Sequence, residues 1–444
     1  MALTGLEIFK LLPKTNCKKC GMPTCLAFAM QLAQKRAKLD DCPDVSQEAR
    51  NLLAAAAAPP MKLVKFGSAD NQVQVGQETV LFRHEEKFHN PTVLAVTVSD
   101  KLAGPELKKR IEAINALQFE RVGIKIGVKA IAVVNDSGSA DTFAAAAAAV
   151  KEASPLALIL CSDSADALEA ALGKTTHATP LVGAASADTA EAMVKIAKDN
   201  KCPLIAKAES IEALADLSEK IAGAGVEDIV LSLDGLSLRD RLYNLTRMRV
   251  LGLKKVFRPL GYPVLSFVED GEPERQAVAA SLICKYSNIV VMDTTEPSVI
   301  LPMLTVVMNV YTDPQKPVQV EPKIYTVGEP DENSPLMFTT NFSLTYYTVE
   351  SDVEASRIAS RILVVDTEGT SVLTAYSGDK LNEKVVTEAM SKHNVEALVK
   401  HRKLIIPGYV AVMSGKLEES TGWEVMVGPR ESAMLPKYLQ EVWQ

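Results

Sequence analysis

Between Pro91 and about Val310, eight short apolar runs recur, each followed by a stretch rich in helix formers; no other feature of the chain narrows the possible folds as much. The runs are Val93 to Val98, Ala130 to Val134, Leu156 to Leu160, Pro180 to Gly183, Pro203 to Ala206, Asp228 to Leu233, Val264 to Val268 and Ile289 to Met292. Near-continuous apolar strands are expected where both faces of a parallel sheet are covered. The segments between them, such as Pro105 to Leu117, Asp141 to Ala153 and Ser210 to Gly223, have helical composition. Eight strand-helix units in about 220 residues predict a TIM (β/α)8 barrel, with an open doubly wound sheet as the second choice.

At 444 residues the chain exceeds what one core usually serves, so further domains are expected on either side of the barrel. Upstream, Lys62 to Phe66 and Gln72 to Val75 read as small strands leading into it. The alanines Ala54 to Ala58 can extend a helix, which Pro59 and Pro60 must end. Downstream, Asp313 to Pro322 contains Pro314, Pro317 and Pro322 and reads as a linker. Beyond it Arg361 to Val365, Ser371 to Tyr376, Lys403 to Ile406 and Trp423 to Val427 read as strands, with helices near Leu381 to Ser391 and Glu431 to Val442. That pattern predicts a compact α/β domain of Rossmann or flavodoxin-like type. The expected domains are residues 1–57, 61–312 and 323–444.

Hydrophobic residues at 47% and charged residues at 23% describe a folded chain, and a net charge of −7 argues against nucleic-acid binding through the overall field. Glu7 and Lys10 interrupt the N-terminal apolar pattern and no run of about 18 apolar residues follows, so no membrane span is expected and the chain is read as cytoplasmic. Phosphate-loop, dinucleotide-loop and nucleophile-elbow motifs are missing. His84 and His89 stand five apart, off the shared helical face a zinc protease needs. Asp100, Asp136, Asp163, Glu209, Asp234, Glu269, Asp270 and Asp293 gather where barrel strands end; most are read as helix caps rather than as an acid-base or metal site.

Four cysteines crowd the first tenth of the chain as Cys17, Cys20, Cys25 and Cys42, spaced Cys-x2-Cys-x4-Cys-x16-Cys with Pro43 after the last. A tight loop carrying three thiolates, with a fourth returning from a distance, suits a 4Fe-4S cluster, and Gly21 and Pro23 suit the turn. Structural zinc also accepts four thiolates but usually pairs two short knuckles, and here the second is absent. Cys161, Cys202 and Cys284 are read as small buried apolar residues.

The opening Leu6 to Cys17 with the other three cysteines, then Gly369 to Ala375 and Gly428 to Ala433, resemble the large (gamma) subunit of the corrinoid iron-sulfur protein of the reductive acetyl-CoA pathway and its acetyl-CoA decarbonylase/synthase complex. The resemblance implies a methyl carrier rather than a stand-alone enzyme. In it, cob(I)amide accepts a methyl group from methyltetrahydrofolate through a methyltransferase and passes it to acetyl-CoA synthase, while the cluster mediates reductive reactivation. It further implies a smaller barrel subunit as heterodimer partner, a reductive activator, and a corrinoid held between that partner and the C-terminal domain. Thr340, Tyr346, Thr370, Ser371, Val372, Leu373 and Ala433 are the implied corrinoid contacts. Thr339 to Tyr347 mixes hydroxyls with aromatic faces, Gly369 to Leu373 reads as a strand-leading turn, and Gly428-Pro429-Arg430 as the opening of the last helix.

No histidine sits in the Asp-x-His-x-x-Gly context of many cobalamin enzymes, so the cobalt is expected to lack a protein histidine ligand, which eases its reduction. Two other functions fit parts of the chain: a pterin-dependent barrel methyltransferase with a structural cluster, and a ferredoxin-like electron carrier with a binding barrel.

Overall fold

The computed structural model describes residues 5–33, 36–46, 49–50, 53, 59–233, 235–268 and 274–443. They gather into two compact units, Met1–Gln118 with Gly127–Tyr311, and Phe119–Ile126 with Thr312–Gln444.

The first unit opens with helices Gly5–Leu11 and Cys25–Ala33, which share a small core of Ile8, Leu12, Phe28 and Ala29 with the buried Cys25 and Cys42. The alanines of the expected first connector, Ala54 to Ala58, lie outside the described residues. An antiparallel hairpin follows, β1 (Leu63–Phe66) with β2 (Val73–Gly76). Eight parallel strands then close into a barrel: β3 (Val93–Ser99), β6 (Ala130–Val134), β7 (Ala157–Cys161), β8 (Leu181–Ala185), β9 (Leu204–Ala208), β10 (Ile229–Leu233), β11 (Val264–Val268) and β12 (Ile289–Met292). Each matches an expected run to within two residues at either end. Between β3 and β6 runs an unforeseen hairpin, β4 (Gln118–Arg121) with β5 (Ile124–Gly127).

Alternate residues face inward, and small ones such as Ala95, Ala130, Ala132 and Ala157 pack there beside Ile159, Ile289 and Val291. The same core takes in Val64, Phe66, Val73 and Val75 of the β1-β2 hairpin. Its Lys62 N–H donates to the Gly261 carbonyl at 2.8 Å and its Gly67 N–H to the Thr179 carbonyl at 2.9 Å, just ahead of β11 and β8. The two small strands therefore plug the N-terminal end of the barrel.

The strand-end acids are mostly not caps. Side-chain capping bonds come instead from Ser139, Ser164, Ser210 and Ser237, whose short hydroxyls accept an N–H of the first turn. Buried Asp100 accepts from the N–H and hydroxyl of Ser137 at 2.8 and 2.5 Å, Asp163 pairs with Lys207 at 3.3 Å, and Asp293 pairs with Arg110 at 2.5 Å. Asp234, Glu269 and Asp270 lie outside the described residues. The residues from His84 to His89 form bends and turns, with His89 paired to Glu86 at 2.9 Å.

The later cysteines divide. Burial pushes the Cys161 thiol up to about 12 and the Cys202 thiol up to about 11, so both stay protonated and inert. Cys284, expected to be buried, is exposed at the end of helix Arg275–Cys284.

The second unit is built on a five-stranded sheet of order β13-β15-β14-β16-β17, where β13 is Ile324–Val327, β14 Leu336–Thr340, β15 Ser360–Val365, β16 Lys403–Ile406 and β17 Glu424–Val427. Only edge strand β13 runs antiparallel. Leu336, Phe338, Leu363 and Ile406 pack on one face against Val372, Ala375, Val386 and Leu417. On the other, Met337, Ile362, Val364 and Ile405 meet Tyr346, Val353, Leu435 and Leu439. Helices thus cover both faces.

Three local expectations change. Ser371 to Tyr376 is not a strand but part of helix Val372–Ser377, so Gly369 to Leu373 leads into a helix. The last helix starts at Leu435 after a 3-10 turn at Ser432–Met434. The linker loosens only over its first part, because the Val320 N–H donates to the Asn341 carbonyl and the Ser343 N–H to the Val318 carbonyl, both at 3.0 Å. Amides of residues 315–316, which donate to the Asp313 side chain in exposed hydrogen bonds, are expected to exchange faster with solvent deuterium than those of Val320 and Ser343, a contrast that exchange mass spectrometry can read. Among the described residues no helix is long and apolar enough to cross a membrane.

Candidate functional sites

The N-terminal site begins with a tightly wound loop in which Lys14, Asn16, Lys18 and Gly21 all take the left-handed conformation. Asn16 clamps it to the next helix. Its N–H points at the Cys25 sulfur at 3.4 Å, and its side-chain oxygen accepts the Cys25 N–H at 2.8 Å. From the far side Asp44, two residues beyond Cys42, reaches the Cys17 thiol at 3.5 Å and the Lys19 ammonium at 2.9 Å. Cys20 packs against the core that holds Cys25 and Cys42.

Cys20, Cys25 and Cys42 thus pack on the small helical core, and Cys17 is tied to the same region through Asp44. The described residues hold no group of three or more His, Cys, Asp or Glu side chains drawn closely enough to grip one metal ion. A four-iron cluster makes a different demand, since it takes one thiolate at each corner and spreads them more widely. An N–H aimed at a ligand sulfur is among the features that tune such clusters. The donor set fits.

The C-terminal site follows from strand order. The chain leaves β14 toward β15 on one side and returns to β16 on the other, so the order reverses between β14 and β16. Those strands touch at a single register pair, Met337 with Ile405, and then part. At such a switch point the connections run to opposite faces and leave a crevice at the carboxyl ends of the strands. A cavity of about 390 Å³ lies there, lined by Thr339, Leu344, Thr345, Ser371, Val372, Leu373, Pro407, Tyr409, Arg430 and Ser432, among others.

Two observations mark it as a binding site. Thr339, 1% exposed and part of the cavity wall, has a side-chain hydroxyl without a hydrogen-bond partner. Buried orphan hydroxyls cost about 1–3 kcal/mol each unless a ligand or water meets them. Among the lining residues Leu344, Leu373 and Tyr409 are all more than 40% exposed, an apolar collar open to a ligand or partner.

Of the expected contacts, Ser371, Val372 and Leu373 line the cavity, while Thr370 and Ala433 each adjoin a lining residue. Thr340 is buried at the end of β14 and is not among the lining residues. Tyr346 turns away into the core, where its hydroxyl donates to Glu350 at 2.6 Å; burial and that carboxylate hold the phenol far above its ordinary pKa. Tyr409 lines the cavity without having been foreseen, while Thr339, Thr345 and Arg430 come from segments read as part of the cradle but were not singled out as contacts. No histidine is among the lining residues; His401 packs edge-on against Trp443 instead.

The cavity's floor depends on one close approach. A Cβ on Gly408 would lie 2.5 Å from the Gly428 carbonyl oxygen and 2.7 Å from the Arg430 nitrogen, both backbone atoms that cannot swing aside. Gly408→Ala should cost about 1–3 kcal/mol of stability by overpacking and spread the loops after β16 and β17, lowering the urea midpoint and weakening any ligand bound between them.

A second cavity, about 880 Å³, occupies the carboxyl-end mouth of the barrel, lined by Thr97, Glu106, Lys109, Arg110, Asp136, Phe267 and Asp293, among others. Its charged groups partly neutralise one another.

A family described as CO dehydrogenase/acetyl-CoA synthase delta subunit matches residues 63–439, and an Fe-S cluster family matches residues 12–43. The corrinoid/iron-sulfur protein large subunit of Moorella thermoacetica is 45% identical over 98% of this chain and 97% of its own. The acetyl-CoA decarbonylase/synthase complex subunit gamma of Methanothermobacter thermautotrophicus is 38% identical over 100% of this chain and 99% of its own. Among solved structures, 7,8-dihydropteroate synthase from Vibrio fischeri ES114 aligns with 55% of this chain and 97% of its own at 13% identity and a TM-score of 0.40.

Proposed function

This chain belongs to the family of corrinoid/iron-sulfur protein large subunits and acetyl-CoA decarbonylase/synthase gamma subunits, and on that premise we propose that it is a methyl carrier holding a corrinoid at its C-terminal cavity and a 4Fe-4S cluster at its four N-terminal cysteines. The observation that carries the reading is the cavity itself: the orphan Thr339 hydroxyl in a crevice with an apolar rim, at the switch point of an open sheet, in a chain that also carries four cysteines in its N-terminal segment.

When bound, the corrinoid supplies the cobalt that takes up and releases the methyl group, and the cluster supplies the electron that returns oxidised cobalt to use. The chain's own residues have separate tasks. Thr339 offers the cavity a hydroxyl that needs a partner, Thr340 ends the same strand beside it, and Ser371 and Thr345 offer further polar groups at the rim. Thr370, Val372, Leu373 and Ala433 shape the wall beside them. Tyr346, bound to Glu350, supports the cavity from beneath through the helix Ser343–Ser356. Cys17, Cys20, Cys25 and Cys42 hold the cluster.

A corrinoid is far larger than 390 Å³, so the cavity takes only part of it and the collar faces the rest. An exposed apolar collar around a half-held ligand calls for a cover, which the small subunit of a heterodimer would provide. A methyltransferase charged by methyltetrahydrofolate, acetyl-CoA synthase and a reductive activator would meet the ligand in turn. The second unit is read here as a Rossmann-like corrinoid domain, and the cysteine segment as a module apart from the barrel. Absorption spectra with iron and cobalt analysis, on anaerobic protein purified with its small subunit, test the reading. Corrinoid and cluster bands together are expected; cluster bands without corrinoid would overturn it.

A further inference from the structure

We propose that Asn341 is the positioning residue of the cofactor loop, its buried amide holding residues 367–370 in the turn that presents Ser371, Val372 and Leu373 to the cavity. The inference rests on the reading of that cavity as the corrinoid site.

Asn341 follows Thr340 at the end of β14 and is 0% exposed. Its side-chain oxygen accepts the backbone N–H groups of Thr367 and Gly369, both at 2.9 Å, and the Thr367 hydroxyl lies 3.0 Å away. Its side-chain nitrogen donates to Asp366 at 3.0 Å and to Gln319 at 3.1 Å. Two backbone N–H donors on one side and the Asp366 carboxylate on the other fix which way the amide faces.

The loop needs such a hold. Glu368 and Gly369 stand consecutively in the left-handed region at φ 54° and 72°, a turn that free chains rarely populate. Gly369 is further confined, because a Cβ there would lie 2.6 Å from Cγ of Gln319. Thr370 braces the turn by donating its hydroxyl to the Thr367 carbonyl at 2.7 Å, and Ser371 then starts the helix whose first residues line the cavity. Asn341 does not line the cavity; it acts through the loop. Through Gln319 it also ties the end of the linker to that loop.

The test uses the whole chain with its small subunit. In Asn341→Leu, amides of residues 367–370 should exchange roughly a hundredfold faster in corrinoid-free protein while β14 and β15 keep their protection. Corrinoid should bind roughly tenfold or more weakly. Asn341→Asp, which keeps the acceptor for the loop amides but sets a carboxylate against Asp366, should retain most loop protection, and Asp366→Asn added to it should recover affinity.

Unchanged loop exchange in Asn341→Leu, or affinity within twofold of wild type, would overturn the proposal. Should the leucine variant fail to fold, the aspartate variant and its rescue decide: no recovery on adding Asp366→Asn counts against it. If wild-type protein binds no corrinoid, the reading of the cavity fails, while the exchange result still judges the role of Asn341 in the loop.

Discussion

Replacing Cys20 with alanine is expected to remove or convert the 4Fe-4S cluster, lowering iron per chain and bleaching the cluster's visible absorbance. Corrinoid binding should be unaffected. Cys20 packs with the small helical core of Ile8, Phe28 and Cys25, which shares no residue with either core of the second unit. Three remaining thiolates leave one iron without its protein ligand, so the cluster is expected to be lost or to shed that iron. Methyl transfer should begin at the normal rate, then decay over successive turnovers without recovering when a low-potential donor is supplied. A full complement of iron with unimpaired reactivation would remove Cys20 from the ligand set.

How much of this was legible beforehand depends on which physics each segment follows. The barrel strands were, because strands covered on both faces must be apolar throughout, and Ala130 to Val134 or Ile289 to Met292 allow little else. Cysteine spacing is equally local information. Helix Ser343–Ser356 was not legible: its Thr, Tyr, Val and Ser residues favour helix weakly, and packing of Tyr346 and Val353 against the sheet overrides that preference. Helix Val372–Ser377 hid for the same reason, being short and opened by β-branched Val372.

The cavity lies between these two cases. Ser371 to Leu373 entered through resemblance, but Thr339, Tyr409 and Arg430 come together only through strand order, which pairs segments some 70 to 90 residues apart in the chain. Tyr346 shows the opposite hazard. An aromatic beside polar residues suits a cofactor face and a core equally well, and its geometry places it in the core. Capping is similar in kind: the acids at barrel strand ends stood at plausible positions, yet the N-cap position falls on a serine one to three residues later, whose hydroxyl accepts the first-turn N–H.

Changing both Leu344 and Leu373 to aspartate should leave the cofactor-free chain as stable as before and abolish corrinoid retention. The two leucines are 54% and 52% exposed, so little packing is lost. Each is also the second residue of its helix, Ser343–Ser356 and Val372–Ser377, where a carboxylate meets the positive end of the helix dipole and is welcome. Thermal unfolding of the free chain should therefore shift by no more than surface substitutions usually cause, within about 0.5 kcal/mol. Once a corrinoid lies over the collar, both carboxylates must shed water against an apolar macrocycle. Even after relaxation that costs several kcal/mol per ion. A loss of about 3 kcal/mol or more in total corresponds to over a hundredfold in affinity, at roughly 1.4 kcal/mol per tenfold. Equilibrium dialysis of the variant and its small subunit against free corrinoid measures it directly. Asparagine at both positions, with equal volume but no charge to desolvate, should lose much less. If the aspartate variant kept wild-type affinity with its fold intact, the collar would not be the surface on which the cofactor rests.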